Sequence, residues 1–490
     1  MVVTNQTKNQ HLLWRAGFGP MAEDIGQLAS ASQKSYLHAL TKASKGKPEY
    51  IDVADNYIKG LMMGIDEVGR MQRKELSDEE KKKLRQASRD SIKSLNLTWL
   101  NTMVNSEAQL REKMSLFWHG HFASRNLNIL YQQQLLDIIR RNALENFGDL
   151  LREVSKSAAM INFLNNNQNR KDHPNENFAR EVMELFTMGR GNYTEQDVKE
   201  AARAFTGWGA TLKGDFVFRR MLHDEDSKEF LGKSGRFDGD DILDMLIDQR
   251  ATANFITRKI YRYFVNEQVD EEKVKWLANR FYKDYNIQSL MEDIFSSDWF
   301  YDEKNIGARI KSPIELMVGI RRILPMQLEN DDVELLVQRL LGQILFYPPN
   351  VAGWPGGTNW IDSSSLMFRL RLPQMIHDGE AINLSPKTDD DQQMGMKEEF
   401  KFGNGKGNQG NANKLMKQPI AAQINWTPFI DKFASVPKEN LVGEITKTLL
   451  QTSGAPSQQL IDGQADKSSR EAFIKSVTIS LMATPEYQLC

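Results

Sequence analysis

PNENFAREVMELFTMGRGNYTEQDVKEAARAFTGW, residues 174–208, reads as helix, tight turn, helix. At about 100° per residue, Phe178, Ala179, Val182, Met183, Leu185 and Phe186 share one half of the first helix, and Glu176, Asn177, Arg180, Glu181 and Glu184 share the other. Pro174 suits a helix start, and the pair Gly189 and Gly191 suits its end. Thr194 is placed to cap the second helix with Asp197, a variant of the capping box, and Tyr193 and Val198 are spaced as a hydrophobic staple.

The polar half of the first helix has no lysine, whereas a solvated face usually mixes Lys with Glu in i,i+4 pairs. Glu176, Arg180 and Glu184 instead form a carboxylate–guanidinium–carboxylate row at i, i+4, i+8. Two readings stand: a structural ion-pair row on an exposed face, or the polar wall of a cleft.

This stretch resembles the signature of the bacterial domain-of-unknown-function 1800 family. Segments similar to the same family follow in the same order: HLLWRAGFGP at 11–20, LREKMSLFWHGHFAS at 110–124, HDEDSKEFLG at 223–232, RIKSPIEL at 309–316 and PPNVAGWPGG at 348–357. The resemblance spans nearly the whole chain and implies a fold, but supplies no reaction. It also implies a neighbourhood, since members are often exported and commonly sit beside the domain-of-unknown-function 1501 family. That family looks like a sulfatase or phosphatase relative, which makes a sulfatase-like protein the expected partner.

At 490 residues, 40% hydrophobic and 26% charged, the chain has length enough for a substantial core. Its 63 basic and 65 acidic residues leave a net charge of −2, which gives no footprint for nucleic acid or an anionic membrane. The single cysteine, Cys490, rules out an internal disulfide. No apolar run approaches the roughly 20 residues that span a bilayer. Residues 1–13 lack the basic region, apolar core and cleavage site of a signal peptide, which favours the cytoplasm unless the chain is exported with a partner.

Four further stretches carry chemistry or punctuation. Residues 50–105 read as helical, with a solvated charge run at 72–90. Ser106 and Gln109 are spaced as a capping box, Leu110, Met114, Phe117 and Trp118 share a helix face, and Gly120 is placed to stop that helix. His119 and His121 flank the glycine. On a helix they point about 200° apart, but in an extended chain they share a face and suit a metal. Residues 215–219, DFVFR, alternate like a strand, with GKSGRF at 232–237 within hairpin distance. The loop between them holds His223, Asp224 and Lys228, which supply an acid, an orienting carboxylate and an anion clamp, or else form a solvated loop. Trp354 and Trp360 sit in a loop stiffened by proline; such rings stack on sugars or pin the loop to its own protein.

The expected fold is mostly α-helical, one large multi-helix domain with a small β-hairpin. Residues 1–378 form the helical core with the hairpin near 215–237, residues 379–420 a flexible insertion rich in Gly, Asn and Lys, and residues 421–490 C-terminal helices that complete the core. The expected function is hydrolysis of a carbohydrate or phosphorylated polymer. Glu176 or Glu184 would act as base, His223 with Asp224 or His121 as acid, and Arg180 as anion anchor, while Asn177, Lys228, Trp354 and Trp360 hold substrate. Oxygen and imidazole ligands of this kind, with His119 and His121, suit Zn²⁺ or Mn²⁺. The rival is a helical binding or escort subunit for the sulfatase-like partner. No Walker, dinucleotide, G-x-S-x-G or H-E-x-x-H pattern is present.

Overall fold

The helix–turn–helix at residues 174–208 forms where its punctuation places it. The computed structural model describes residues 3–60, 77–382, 420–451 and 457–490. Asn175 caps a helix at Glu176–Glu181, and Thr194 with Asp197 makes the reciprocal capping box of the helix at Glu195–Ala204. Gly189 and Gly191 turn the chain between them at φ +75° and +84°. One feature departs from the sequence pattern. From Val182 to Thr187 the first helix widens into a π-helical turn. Bonding i to i+5 rotates Glu184 off the row begun by Glu176 and Arg180.

The fold is mostly helical. The helices that carry its cores and its main hollow are α1 (Asn5–Ala16), α2 (Asp78–Asn105), α3 (Gln109–His121), α4 (Ile129–Asn142), α5 (Glu176–Glu181, continued by the π-turn), α6 (Glu195–Ala204), α7 (Arg250–Phe264) and α8 (Pro313–Ile323). Phe178, Val182 and Phe186 of α5 and its π-turn lie in a first core with Trp118, Phe147, Phe205 and Ile260. Trp99 of α2 and Ile314 of α8 lie in a second core with Phe429, Ile445 and Phe473 from the C-terminal helices. Each such side chain contributes about 1.5–3 kcal/mol on burial.

Helix α3 is the seam, with Met114, Phe117 and Trp118 in the first core and Leu116 in the second. Its tryptophan neighbours are satisfied at their polar tips: Trp118 Nε1 donates to the Ala143 carbonyl at 3.0 Å, and Trp99 Nε1 to Glu112 Oε2 at 3.0 Å. Glu112 also takes a forked bond from Arg140 of α4. Two local expectations for this helix are corrected. It starts at Gln109 rather than in a box on Ser106, because the Gln109 amide donates to the Met103 and Ser106 carbonyls. It also runs through Gly120 to His121. Burial of the flanking Trp118 and Phe122 offsets the roughly 1 kcal/mol that glycine costs a helix.

In place of a single hairpin, the described residues hold three two-stranded antiparallel ribbons. β1 (Trp208–Ala210) pairs with β2 (Phe216–Phe218), β3 (Lys228–Phe230) with β4 (Lys233–Gly235), and β5 (Met326–Leu328) with β6 (Ala422–Ile424). Residues 215–219 therefore pair backwards with the end of the central stretch rather than forwards with 232–237. A tight turn at Leu231 and Gly232, both at positive φ, closes the second ribbon on itself.

Residues 50–105 are not helical throughout; 47–55 form neither helix nor strand, and α2 begins at Asp78. The opening of the charge run, 72–76, lies outside the described residues, as does most of the expected insertion, 383–419. The Ile420 N–H donates to the Glu380 carbonyl at 3.0 Å, so the chain returns beside the point where it left. Among the described residues, no helix is long and apolar enough to cross a membrane.

Candidate functional site

The C-terminal end of α3, the last turns of α7, the segment leading into α8 and the loop at 351–360 enclose a hollow of about 190 Å³. Backbone chemistry sets its shape. Gly353, at φ +79°, lies so close to the Gly120 carbonyl that an added Cβ would sit 2.2 Å from that oxygen. Gly357, at φ +59°, lies equally close to the Glu267 carboxylate. The loop is thus fastened across α3 and against Glu267 just past α7, and the left-handed backbone at both fastenings favours glycine. Gly353→Ala is expected to lift the loop away. Left-handed backbone costs an alanine roughly 1–2 kcal/mol, and the clash adds to it. A red shift in tryptophan emission and faster proteolysis at 351–360 would report the release; an unchanged loop would show that the approach is not needed.

Lys259 of α7 is the central polar group of the hollow. Its Nζ lies 2.9 Å from His121 Nδ1 and 3.4 Å from the Leu185 carbonyl, and 5.1 Å from the centre of the Phe255 ring. His121 Nε2 lies 3.2 Å from the Phe186 carbonyl, so its proton sits on Nε2 and Nδ1 accepts from Lys259. The carbonyls of Leu185 and Phe186 belong to the π-turn that ends α5. A helix leaves its last carbonyls unpaired, and they favour positive charge. Burial, helped by the Arg262 guanidinium, pushes the Lys259 ammonium down to about 8. Burial, with the charge of Lys259, holds the His121 imidazole well below its ordinary range, against the Phe186 carbonyl.

Beneath the hollow lies a buried ion cluster. Glu315 of α8 meets Lys113 Nζ at 2.5 Å and Arg309 Nη1 at 3.6 Å, and accepts from the Ser312 N–H at 2.7 Å. Burial alone would push the Glu315 carboxyl up; Lys113, Arg309 and the Ser312 N–H outweigh it and hold the group at about 2. Ser312, Pro313 and Glu315 form the capping box that their sequence signals. Tyr263 stacks under Arg309, 4.6 Å from the guanidinium carbon, and burial with the Glu315 charge raises its phenol well above the usual value.

Of the residues singled out in the sequence, the structure brings His121, Trp354 and Trp360 to this hollow. Trp354 packs on His119, ring centres 5.6 Å apart, and its buried Nε1 has no partner among the described residues. Trp360 is only 7% exposed. His119 and His121 do not converge. With α3 intact through Gly120 they point to different sides, and His119 Nε2 accepts from the Phe346 N–H at 3.1 Å. Burial pushes His119 down to about 3. Among the described residues, no three His, Cys, Asp or Glu side chains gather as a metal site, so the expected Zn²⁺ or Mn²⁺ finds no ligand set there.

The acidic half of α5 and the His223 loop lie outside the hollow's lining. Arg180 pairs with Glu176 at 3.1 Å and with Glu195 of α6 at 2.7 Å. Glu184, turned by the π-turn, pairs with Arg190 and accepts from the Tyr193 hydroxyl at 2.9 Å. Asn177 donates to the Leu164 carbonyl. His223 Nδ1 lies 2.9 Å from the Thr206 carbonyl, Asp224 takes Arg203 at 2.7 Å, and Lys228 Nζ donates to the Asp224 and Asp226 carbonyls. These groups bind their own turns together rather than meeting at one centre.

Lys259, Arg262, Glu267 and Arg309 escaped the sequence reading. Residues 255–265 read as a helix with a core side and a basic side, and the basic side held the signal: Lys259 and Arg262 are three apart on it. Arg309 opens one of the segments that carried the family resemblance. No curated protein and no solved structure matches the chain. With much of the hollow built from those segments, one comparison does place the chain: the family described as "Protein of unknown function (DUF1800)" matches residues 11–489, and the chain belongs to it.

Proposed function

We propose that the hollow is an active site that hydrolyses a carbohydrate or a phosphorylated polymer, with Lys259 as its proton acceptor. The observation that carries this reading is the Lys259–His121 pair, a lysine depressed to about 8 and aimed by a neutral imidazole in a half-enclosed hollow. A base works best when its pKa lies near the working pH. As the oxygen of an attacking water bonds to the reacting centre, its proton passes to Lys259 Nζ. As the bond to the leaving oxygen breaks, the ammonium so formed on Lys259 returns that proton to it. Trp354 and Trp360 give the hollow flat apolar walls suited to a ring.

The test is a screen of the full chain against nitrophenyl phosphates, sulfates and glycosides. Turnover in one class is expected, rising with pH through about 8. If no class is turned over, the hollow is a binding site and the chain is better read as a helical escort for a sulfatase-like partner.

A further inference from the structure

We infer that the floor of the hollow is a subsite for a tetrahedral oxyanion, a phosphate or sulfate group, held by the guanidinium of Arg309. This deepens the proposed function and rests on the same hollow, but it stands on different atoms. Arg309 is 5% exposed, lines the hollow, and has Nε and Nη1 buried without a hydrogen-bond partner among the described residues. Its carboxylate neighbour, Glu315 Oε1, is 3.6 Å from Nη1, beyond hydrogen-bond reach. A buried guanidinium without hydrogen bonds is costly, and because a guanidinium forks through Nη2 with either Nε or Nη1, an oxyanion that reaches Nη2 also meets a nitrogen that has no partner.

The surrounding charge points the same way. Arg15, Lys113, Lys311 and Arg369, each at most 1% exposed, accompany Arg309. Arg15 and Arg369 each carry two further guanidinium nitrogens without partners. Against these five buried cations stand Glu315, Glu267 and the negative charge at Cys490. Lys259 and Arg262 add positive charge on the wall. A surplus of more than one charge selects a divalent oxyanion over a carboxylate. Burial lowers both Lys113 and Lys311, the latter to about 7, against the raising effect of Glu315 and Cys490; a bound oxyanion would raise both further.

Full-length protein titrated with sodium phosphate, and separately with sodium sulfate, at ionic strength fixed with chloride, tests the subsite. A saturable heat and a rise in Tm are expected with at least one, and the preferred ion tells a phosphorylated from a sulfated ligand. Arg309→Lys keeps the charge but loses the fork, and should weaken binding roughly 10- to 100-fold. Should that variant not fold, a crystal of the unaltered chain soaked in selenate decides: an anomalous peak within hydrogen-bond reach of Arg309 supports the subsite, and its absence there overturns it. Equal behaviour in phosphate, sulfate and chloride also overturns it. Anion binding without turnover of any substrate sinks the proton-transfer reading alone. Turnover of an uncharged substrate without anion binding sinks the subsite alone.

Discussion

Glu315→Ala is expected to cost about 3–5 kcal/mol of stability, because removing one partner of a buried ion pair leaves the others uncompensated. Lys113 would remain fully buried, 3.2 Å from the Trp14 carbonyl and 4.9 Å from the centre of the Phe18 ring, with no carboxylate to neutralise it. Arg309 would lose its nearest anion. The Glu315 half of the α8 capping box would go as well, while Ser312 Oγ would still accept from the backbone N–H at position 315. Glu315→Gln separates the two terms, since it keeps an acceptor for the Ser312 N–H and deletes only the charge. Urea unfolding of the three proteins measures this; an unchanged midpoint and slope for Glu315→Ala would show that the cluster does not hold α3 to α8.

The same carboxylate sets an acid limit. A group depressed from 4.5 to about 2 in the folded state contributes stability that is complete above pH 4.5 and drains away as the pH falls to about 2. The unaltered protein should therefore lose stability steeply across that window. Glu315→Gln, with no carboxyl there to protonate, should fall less steeply.

The second large effect is catalytic. Lys259→Met should lower kcat/KM by about 10²- to 10⁴-fold for whatever ester or glycoside the unaltered chain hydrolyses, the usual worth of a positioned acid or base. Methionine keeps the stem beside Phe255 and removes a charge that burial disfavours, so the fold should survive. The pH profile tells more than the rate. Neutral amine is the working form, so activity in the unaltered chain rises through about 8, and that limb should vanish from the residual rate of the variant. A variant with undiminished turnover and the same limb would remove Lys259 from the mechanism.

The parts of this protein legible in the sequence are those set by neighbours in the chain. Thr194 with Asp197, and Ser312 with Pro313 and Glu315, mark helix starts because a cap is a contact across three residues. His121, Trp354 and Trp360 stood out by residue type. What stayed hidden depends on contacts between distant segments. Gly120 reads as a stop until Phe122 is known to be buried and Gly353 to lie against the Gly120 carbonyl. Lys259 reads as one more charge on a basic face until the Leu185 carbonyl and His121 are known to meet it. The polar face of α5 drew attention for its composition, whereas that helix reaches the hollow through its last carbonyls, which no side-chain pattern encodes.

The widened turn at Val182–Thr187 makes chain length at that point matter more than chemistry. An ordinary α-turn covers nearly the same angle with about one residue fewer, so the loss of a residue there would let the stretch close to i→i+4 bonding. The Leu185 and Phe186 oxygens now serving Lys259 and His121 would lose the positions they hold. Exchanges of one residue for another should be absorbed across 182–187 far more readily than the deletion of any of them.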